Sequence, residues 1–383
     1  MFGERSIQLA RIAGIRVGAS VSWFLFLGIA IWLGTGWFEG ALGSESSAAF
    51  PAAVAAAVLF FGSIVLHELG HAFEARRNGI DVEGVDLWIF GGFARLSRDS
   101  ETPGEEFRIA IAGPLANVLI VGICLGVTVL LVGGERAFDV ARLADRSTTS
   151  AVELVVGFTA TMNALILIFN LIPAFPLDGG RIARAAVWRL SGDRTRGTVV
   201  SAWLGQGFGW LLVAYAAVAY FTGSGAGSAI WTAVVGWLIA SSARSAAVGA
   251  RVSDRLEGVT VGDIMDVNPV TMPASTRLID AEERFFATFD APWIAVVDDD
   301  GRLLGIAERE RVREAIDGGR PVLEAREVLT PGEPIGTDQP LEAAIRSEPL
   351  TRLGAVMAVD GDGVLRGVLT VEQVRRALSA ATA

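Results

Sequence analysis

The chain contains no lysine; all 32 of its basic residues are arginine. No recognition chemistry explains that, and codon bias or a salty cytoplasm accounts for it better. Histidine is nearly missing too, with two copies in 383 residues. A single cysteine, Cys124, rules out a disulfide within the chain, and its apolar neighbours make it a small core residue rather than a metal ligand. An excess of positive charge is also lacking. Asp and Glu number 42 against 32 Arg, a net charge of −10, which argues against nucleic-acid binding. The N-terminus shows neither the short apolar stretch nor the small-residue cleavage site of a removable signal peptide, and its first apolar run is long enough to stay as a membrane helix.

Apolar residues are in surplus. They make up 52% of the chain, and the mean hydropathy is +0.48, high for a soluble protein. The surplus lies between residues 20 and 250, where long runs carry no charge. Residues 1–250 hold 18 acids and 17 arginines, whereas residues 251–383 hold 24 acids and 15 arginines and read as an ordinary acidic soluble domain. Six membrane segments are predicted, near residues 21–38, 49–75, 107–132, 151–172, 199–221 and 226–248. Arginines cluster before the first segment, between the second and third, between the fourth and fifth, and after the sixth. Arginine-rich ends stay in the cytosol, so both termini and the 76–106 and 173–198 loops are expected there, in a multi-pass protein of the cell membrane.

The two histidines stand in one pattern, His67-Glu68-Leu69-Gly70-His71, at the end of an uncharged run from residue 50 to residue 66. Residues four apart share a helix face, so both imidazoles can address one metal ion. Glu68 sits one step round the helix, where its carboxylate can reach a water beside that metal. Two core histidines placed there by chance are the bland alternative. Ionisable groups at membrane depth are costly and by default mark a function.

The predicted topology brings a second stretch to the same end of the bundle. The fourth segment runs into Asn170-Leu171-Ile172-Pro173-Ala174-Phe175-Pro176-Leu177-Asp178-Gly179-Gly180. Two prolines break the helix and two glycines allow tight turns. Asp178 is the candidate third metal ligand. Glu74, three residues after His71, is its rival. Three ligands on one helix give poor tetrahedral geometry, and beside Arg76 and Arg77 a solvated helix end is the plainer reading of Glu74. The apolar, glycine-broken loop 88–96 reads equally as an interfacial hairpin or as a re-entrant strand near the site. Asn117, an amide within the third segment, needs a partner, either on a neighbouring helix or on a substrate carbonyl.

After Arg251 the chain repeats itself. Residues 296–305 match residues 358–367 at an offset of 62, each copy reading as strand, Asp-Gly turn and strand flanked by helices. The predicted division is 1–250 and 251–383, with repeats near 257–317 and 322–380.

These residues resemble the site-2 proteases, intramembrane zinc metalloproteases, in the subclass that carries a C-terminal pair of CBS modules. His67-Glu68-Leu69-Gly70-His71 is similar to the family's HExxH motif, Asn170 through Gly179 to its NxxPxPxxDG, and Gly113-Pro114-Leu115-Ala116-Asn117 to its GPxxN. The resemblance implies a polytopic α-helical membrane protein with a cytosolic α/β tandem CBS domain. It implies one Zn²⁺ held by His67, His71 and Asp178, Glu68 as general base, and Asn117 and Asn170 near the substrate. Substrates would be single-pass or membrane-anchored proteins, with the bilayer as surroundings and a homodimer formed through the CBS pair. The repeat departs from the nucleotide-binding pattern. After Gly305 the chain has Glu308 and Arg311, and after Gly367 it has Thr370 and Gln373, so the acid that would hold a ribose is missing from both copies. Two rivals remain at this stage: an inactive membrane scaffold of the same fold, against which Glu68 counts, and a metal transporter, which would need ligands on further helices.

Overall fold

A computed structural model describes residues 6–43, 46–88, 91–141, 143, 150–223, 225–345 and 347–382. Residues 89 and 90 of the 88–96 loop lie outside them. The chain divides into two compact units, Met1–Ala250 and Arg251–Ala383.

Six helices of the first unit are long and apolar enough to cross a membrane: α1 (Val21–Leu42), α2 (Ala49–Arg77), α3 (Pro103–Val132), α5 (Ala151–Asn170), α7 (Arg194–Phe221) and α8 (Ala226–Leu256), whose last turns belong to the second unit. Polar side chains cap several of their starts. Ser20 accepts from the Trp23 amide, Thr102 from Glu105 with Pro103 following, and Asp193 from Arg196. Ser150 and Glu153 form a capping box at the head of α5. Large apolar side chains such as Trp32, Leu119 and Leu211 point outward, as suits a surface facing lipid. α2 is the hub: it packs against α1, α3 and α5.

Two shorter helices and a sheet complete this unit. α4 (Gly134–Ala141) packs on α3 and α5, and α6 (Asp178–Ser191) packs on α3 and α7. α6 arises in the stretch expected to be a loop: Asp178 opens the helix one residue after Leu177, just past the proline break. Four strands, β1 (Ile7–Ile12), β2 (Ile15–Ala19), β3 (Val82–Trp88) and β4 (Gly91–Leu96), form one sheet in that order. β2 and β3 are parallel, and β3 and β4 are antiparallel with Leu87 opposite Gly92. β4 is therefore an edge strand with one side unpaired within the sheet.

The second unit carries two three-stranded sheets of like topology: β5 (Thr271–Pro273), β6 (Trp293–Val297) and β7 (Leu303–Glu308), then β8 (Ile335–Gly336), β9 (Ala355–Val359) and β10 (Leu365–Thr370). In each, a parallel pair is followed by an antiparallel hairpin. Both hairpins turn on an aspartate. Asp298 Oδ1 accepts from the amides of Asp300 and Arg302, and Asp360 Oδ1 from those of Asp362 and Val364. The turns are joined backbone to backbone, Leu303 to Gly363 and Leu365 to Gly301, each at 3.0 Å.

Candidate active site

The site is built where α2, α3 and α6 meet beneath β4. His67 and His71 lie one turn apart on α2 with their Nε2 atoms 3.2 Å from each other. Asp178 at the head of α6 places its carboxylate oxygens 3.1 Å from Nε2 of His67 and 3.3 Å from Nε2 of His71. One ligand atom from each of the three residues lies within 4.8 Å of the others.

The far side of each ring shows what this cluster needs. Nδ1 of His67 donates to the amide oxygen of Asn117, and Nδ1 of His71 donates to the carbonyl of Ile109 at 2.7 Å. Both acceptors can only accept, so each Nδ1 carries a proton, and in the neutral imidazole that binds a metal each Nε2 presents a lone pair. The two Nε2 lone pairs therefore face each other and a carboxylate. Asp178 Oδ2 is buried and accepts no hydrogen bond. Converging lone pairs with no proton among them repel unless a cation sits between them. Two neutral imidazoles and one carboxylate are a donor set for zinc, with ring orientation fixed from behind. The residues fit the metal.

Helix α3 closes the back of the site. Pro114 leaves the Ala110 carbonyl of α3 without its helical donor, and the neighbouring Ile109 carbonyl receives His71. Gly113 faces both rings: a Cβ there would stand 2.6 Å from Cε1 of His71 and 2.7 Å from Nε2 of His67. Asn117, expected beside the substrate, instead sits fully buried behind His67. Its amide is spent on His67 and on Asn163 of α5, which takes a 2.8 Å bond from Asn117 Nδ2 and passes its own Nδ2 to the carbonyl of Thr159 at 2.9 Å. Asn163 escaped the sequence reading, although an amide inside an uncharged segment was the same signal that singled out Asn117.

In front of the site lies a cavity of about 770 Å³ whose lining includes His67, Glu68, His71, Asn170 and Asp178. β4 forms one wall of it through Gly91, Gly92, Phe93, Ala94 and Leu96. Residues 91–96 of the 88–96 loop thus form an edge strand that lines the site, as in the reading that put a strand near it. At Gly92 a Cβ would lie 2.7 Å from Cγ of Glu68, so only glycine lets the strand come so close to that side chain. Glu74 is engaged elsewhere. It takes a hydrogen bond from Asn78 at 3.1 Å and pairs with Arg77 and Arg108 at 3.6 and 3.7 Å.

Arg181, one turn after Asp178, also reaches the cavity. Burial works against its charge, but Glu106 more than offsets this and holds the guanidinium above its ordinary value. Neither Arg181 nor Glu106 was singled out from the sequence. In the second unit, Arg311 donates to Thr330 at 2.8 Å, and Gln373 Oε1 accepts from the Thr370 amide and hydroxyl at 2.7 and 2.9 Å. The two residues standing where a ribose-binding acid would be are occupied within the fold.

Peptidase family M50 matches residues 55–214 and the CBS domain matches residues 261–318. "Putative zinc metalloprotease Rip3" of Mycobacterium tuberculosis is 32% identical over 381 residues, covering 97% of this chain and 92% of that one. "Putative zinc metalloprotease sll0528" of Synechocystis is 30% identical over 327 residues, 82% of this chain and 78% of its own. A solved site-2 protease from Methanocaldococcus jannaschii is similar at 24% identity and a TM-score of 0.40, covering 63% of this chain and 95% of that one. The chain belongs to peptidase family M50, the site-2 protease family. It is a multi-pass membrane zinc metalloprotease with a C-terminal CBS pair, and the transporter reading is set aside.

Proposed function

We propose that the protein is an intramembrane endopeptidase that cuts transmembrane segments of membrane-anchored proteins, with residues 1–250 as the protease and residues 251–383 as the CBS pair. One observation carries the reading: three lone-pair donors, His67, His71 and Asp178, converge beside Glu68 in a cavity walled by an unpaired strand edge. These three residues hold the metal. Zinc bound there supplies Lewis-acid activation of a water molecule and of the peptide carbonyl.

The rest is done by the chain. Glu68 takes a proton from the attacking water as the water oxygen bonds to the carbonyl carbon. It then delivers that proton to the nitrogen as the C–N bond breaks, releasing a carboxyl and an amine end. Asn117, held by Asn163, fixes the tautomer and plane of His67. Asn170, on the cavity wall, faces the substrate backbone. A helical substrate has its carbonyls locked in helical bonds, so it must unwind before attack. The free edge of β4 offers main-chain partners to the unwound stretch, which pairs as an added strand.

The arginine distribution supports cytosolic termini. The CBS pair then lies in the cytosol, where it assembles or regulates the protease. The test is coexpression with a panel of single-pass reporter proteins. Glu68→Gln should keep zinc and lose cleavage by several orders of magnitude, since base and metal act as one unit. Asp178→Ala should lose the zinc that Glu74→Ala retains. Substantial cleavage by Glu68→Gln would sink the mechanism.

A further inference from the structure

We propose that Arg181 is a substrate-binding residue: its guanidinium donates to the oxygen of the peptide carbonyl under attack and stabilises the negative charge that develops there. The assignment rests on the protease reading above. Arg181 and Asp178 are three residues apart on α6, share a helix face and both line the cavity. Nε of Arg181 donates to Oε1 of Glu106 at 2.9 Å, and Arg184 pairs with the same oxygen. Glu106, in the first turn of α3, has no exposed surface.

Two guanidiniums therefore share one carboxylate, and one positive charge is left over. Neutralising Glu106 needs a single arginine, and Arg184, which does not line the cavity, already supplies it. A second arginine adds a desolvation penalty, and beyond the shared Glu106 it is compensated only by the charges of Asp178 and Asp99, neither of which it is bonded to. Asp178 is near, but its oxygens are turned to the two histidines. Among the described residues nothing accepts from the terminal nitrogens of Arg181. Its inner nitrogen is held by Glu106, and the residue lines the cavity. A donor held in place before reaction, aimed where charge will appear, lowers the barrier more than it tightens ground-state binding. The fork of the guanidinium also suits a planar carbonyl better than an ammonium would.

The experiment uses the detergent-solubilised, zinc-loaded full chain and a fluorogenic peptide library with apolar, glycine-broken cores, read on the members that the parent protein cuts. Arg181→Gln should keep its zinc and lose about 10²-fold in kcat, the effect of removing one such donor. KM should stay within about threefold, as expected for an interaction made in the transition state. Arg181→Lys, which keeps the charge and loses the fork, should fall between parent and Arg181→Gln, and it serves as the readable variant if Arg181→Gln fails to fold. Arg184→Gln shares the Glu106 contact and should lower Tm while leaving kcat near the parent value. Parent-like kcat in Arg181→Gln would overturn the proposal. So would a rise in KM alone, or parallel losses of Tm and kcat in Arg181→Gln and Arg184→Gln. A zinc-loaded parent that cuts no library member would instead overturn the protease reading itself.

Discussion

Gly113 offers the sharpest test of how the metal site is held. Replacing it with alanine puts a methyl carbon 2.7 Å from Nε2 of His67, where ordinary contact begins near 3.4 Å. The ring must retreat by about 0.7 Å, several times the ~0.2 Å tolerance of a ligand distance. His71 is approached at least as closely, with Cε1 at 2.6 Å. Neither ring can move independently, because each Nδ1 is tied to α3 itself, one to Asn117 and one to the Ile109 carbonyl. Gly113→Ala should therefore weaken zinc binding by at least about 100-fold, or roughly 2.7 kcal/mol. The assay is zinc retention against a graded series of chelators, with helicity as the control for folding. Gly122→Ala on the same helix meets nothing within 4 Å and should retain zinc like the parent. A Gly113→Ala protein that holds zinc as tightly as Gly122→Ala would show that α3 does not fix the rings.

Three further outcomes are expected. Asn163→Ala should lower zinc affinity by about 10- to 100-fold, by freeing Asn117 and through it the His67 ring; an unchanged affinity would confine the role of Asn163 to packing. Calorimetry of the full chain with ATP, ADP and AMP should find no micromolar site, because Arg311 and Gln373 are spent within the fold; a micromolar Kd would restore nucleotide sensing. Reporters placed after Ala383 and next to Gly223 should report opposite faces of the membrane, and the same face for both would refute the cytosolic placement of the C-terminus.

Much of this architecture is legible in one dimension. The six long helices follow from uncharged runs between arginine-rich ends, and the His67–His71 pair follows from residue type and helical spacing alone. The Asp-Gly turns of the CBS pair announce themselves through local chemistry, since an aspartate bonding two amides onward needs no distant partner. What stayed hidden depends on contacts far apart in sequence. The 173–198 stretch read as a loop because its prolines end one helix, while the start of α6 at Asp178 lacks a side-chain cap. An amide in lipid needs a partner, which left Asn117 open between a neighbouring helix and a substrate carbonyl, and nothing local said that the partner was a histidine 50 positions back. Arg181 and Glu106, 75 positions apart, carry no motif that links them. The 88–96 loop stayed undecided between two readings until Gly92 was found lying against Glu68.

That contact has a consequence for what such an enzyme selects. At Gly91 and Gly92 the strand beside Glu68 has no side chains, so under the proposed mechanism a partner aligned along it there would be recognised chiefly through main-chain amides and carbonyls, which every residue shares. Side-chain identity then discriminates weakly at the point of cutting. The discriminating quantity becomes how readily a membrane helix gives up its internal bonds over a few residues. On the proposed function, such an enzyme would survey the bilayer for weak helices, and any spelling of helix weakness would serve.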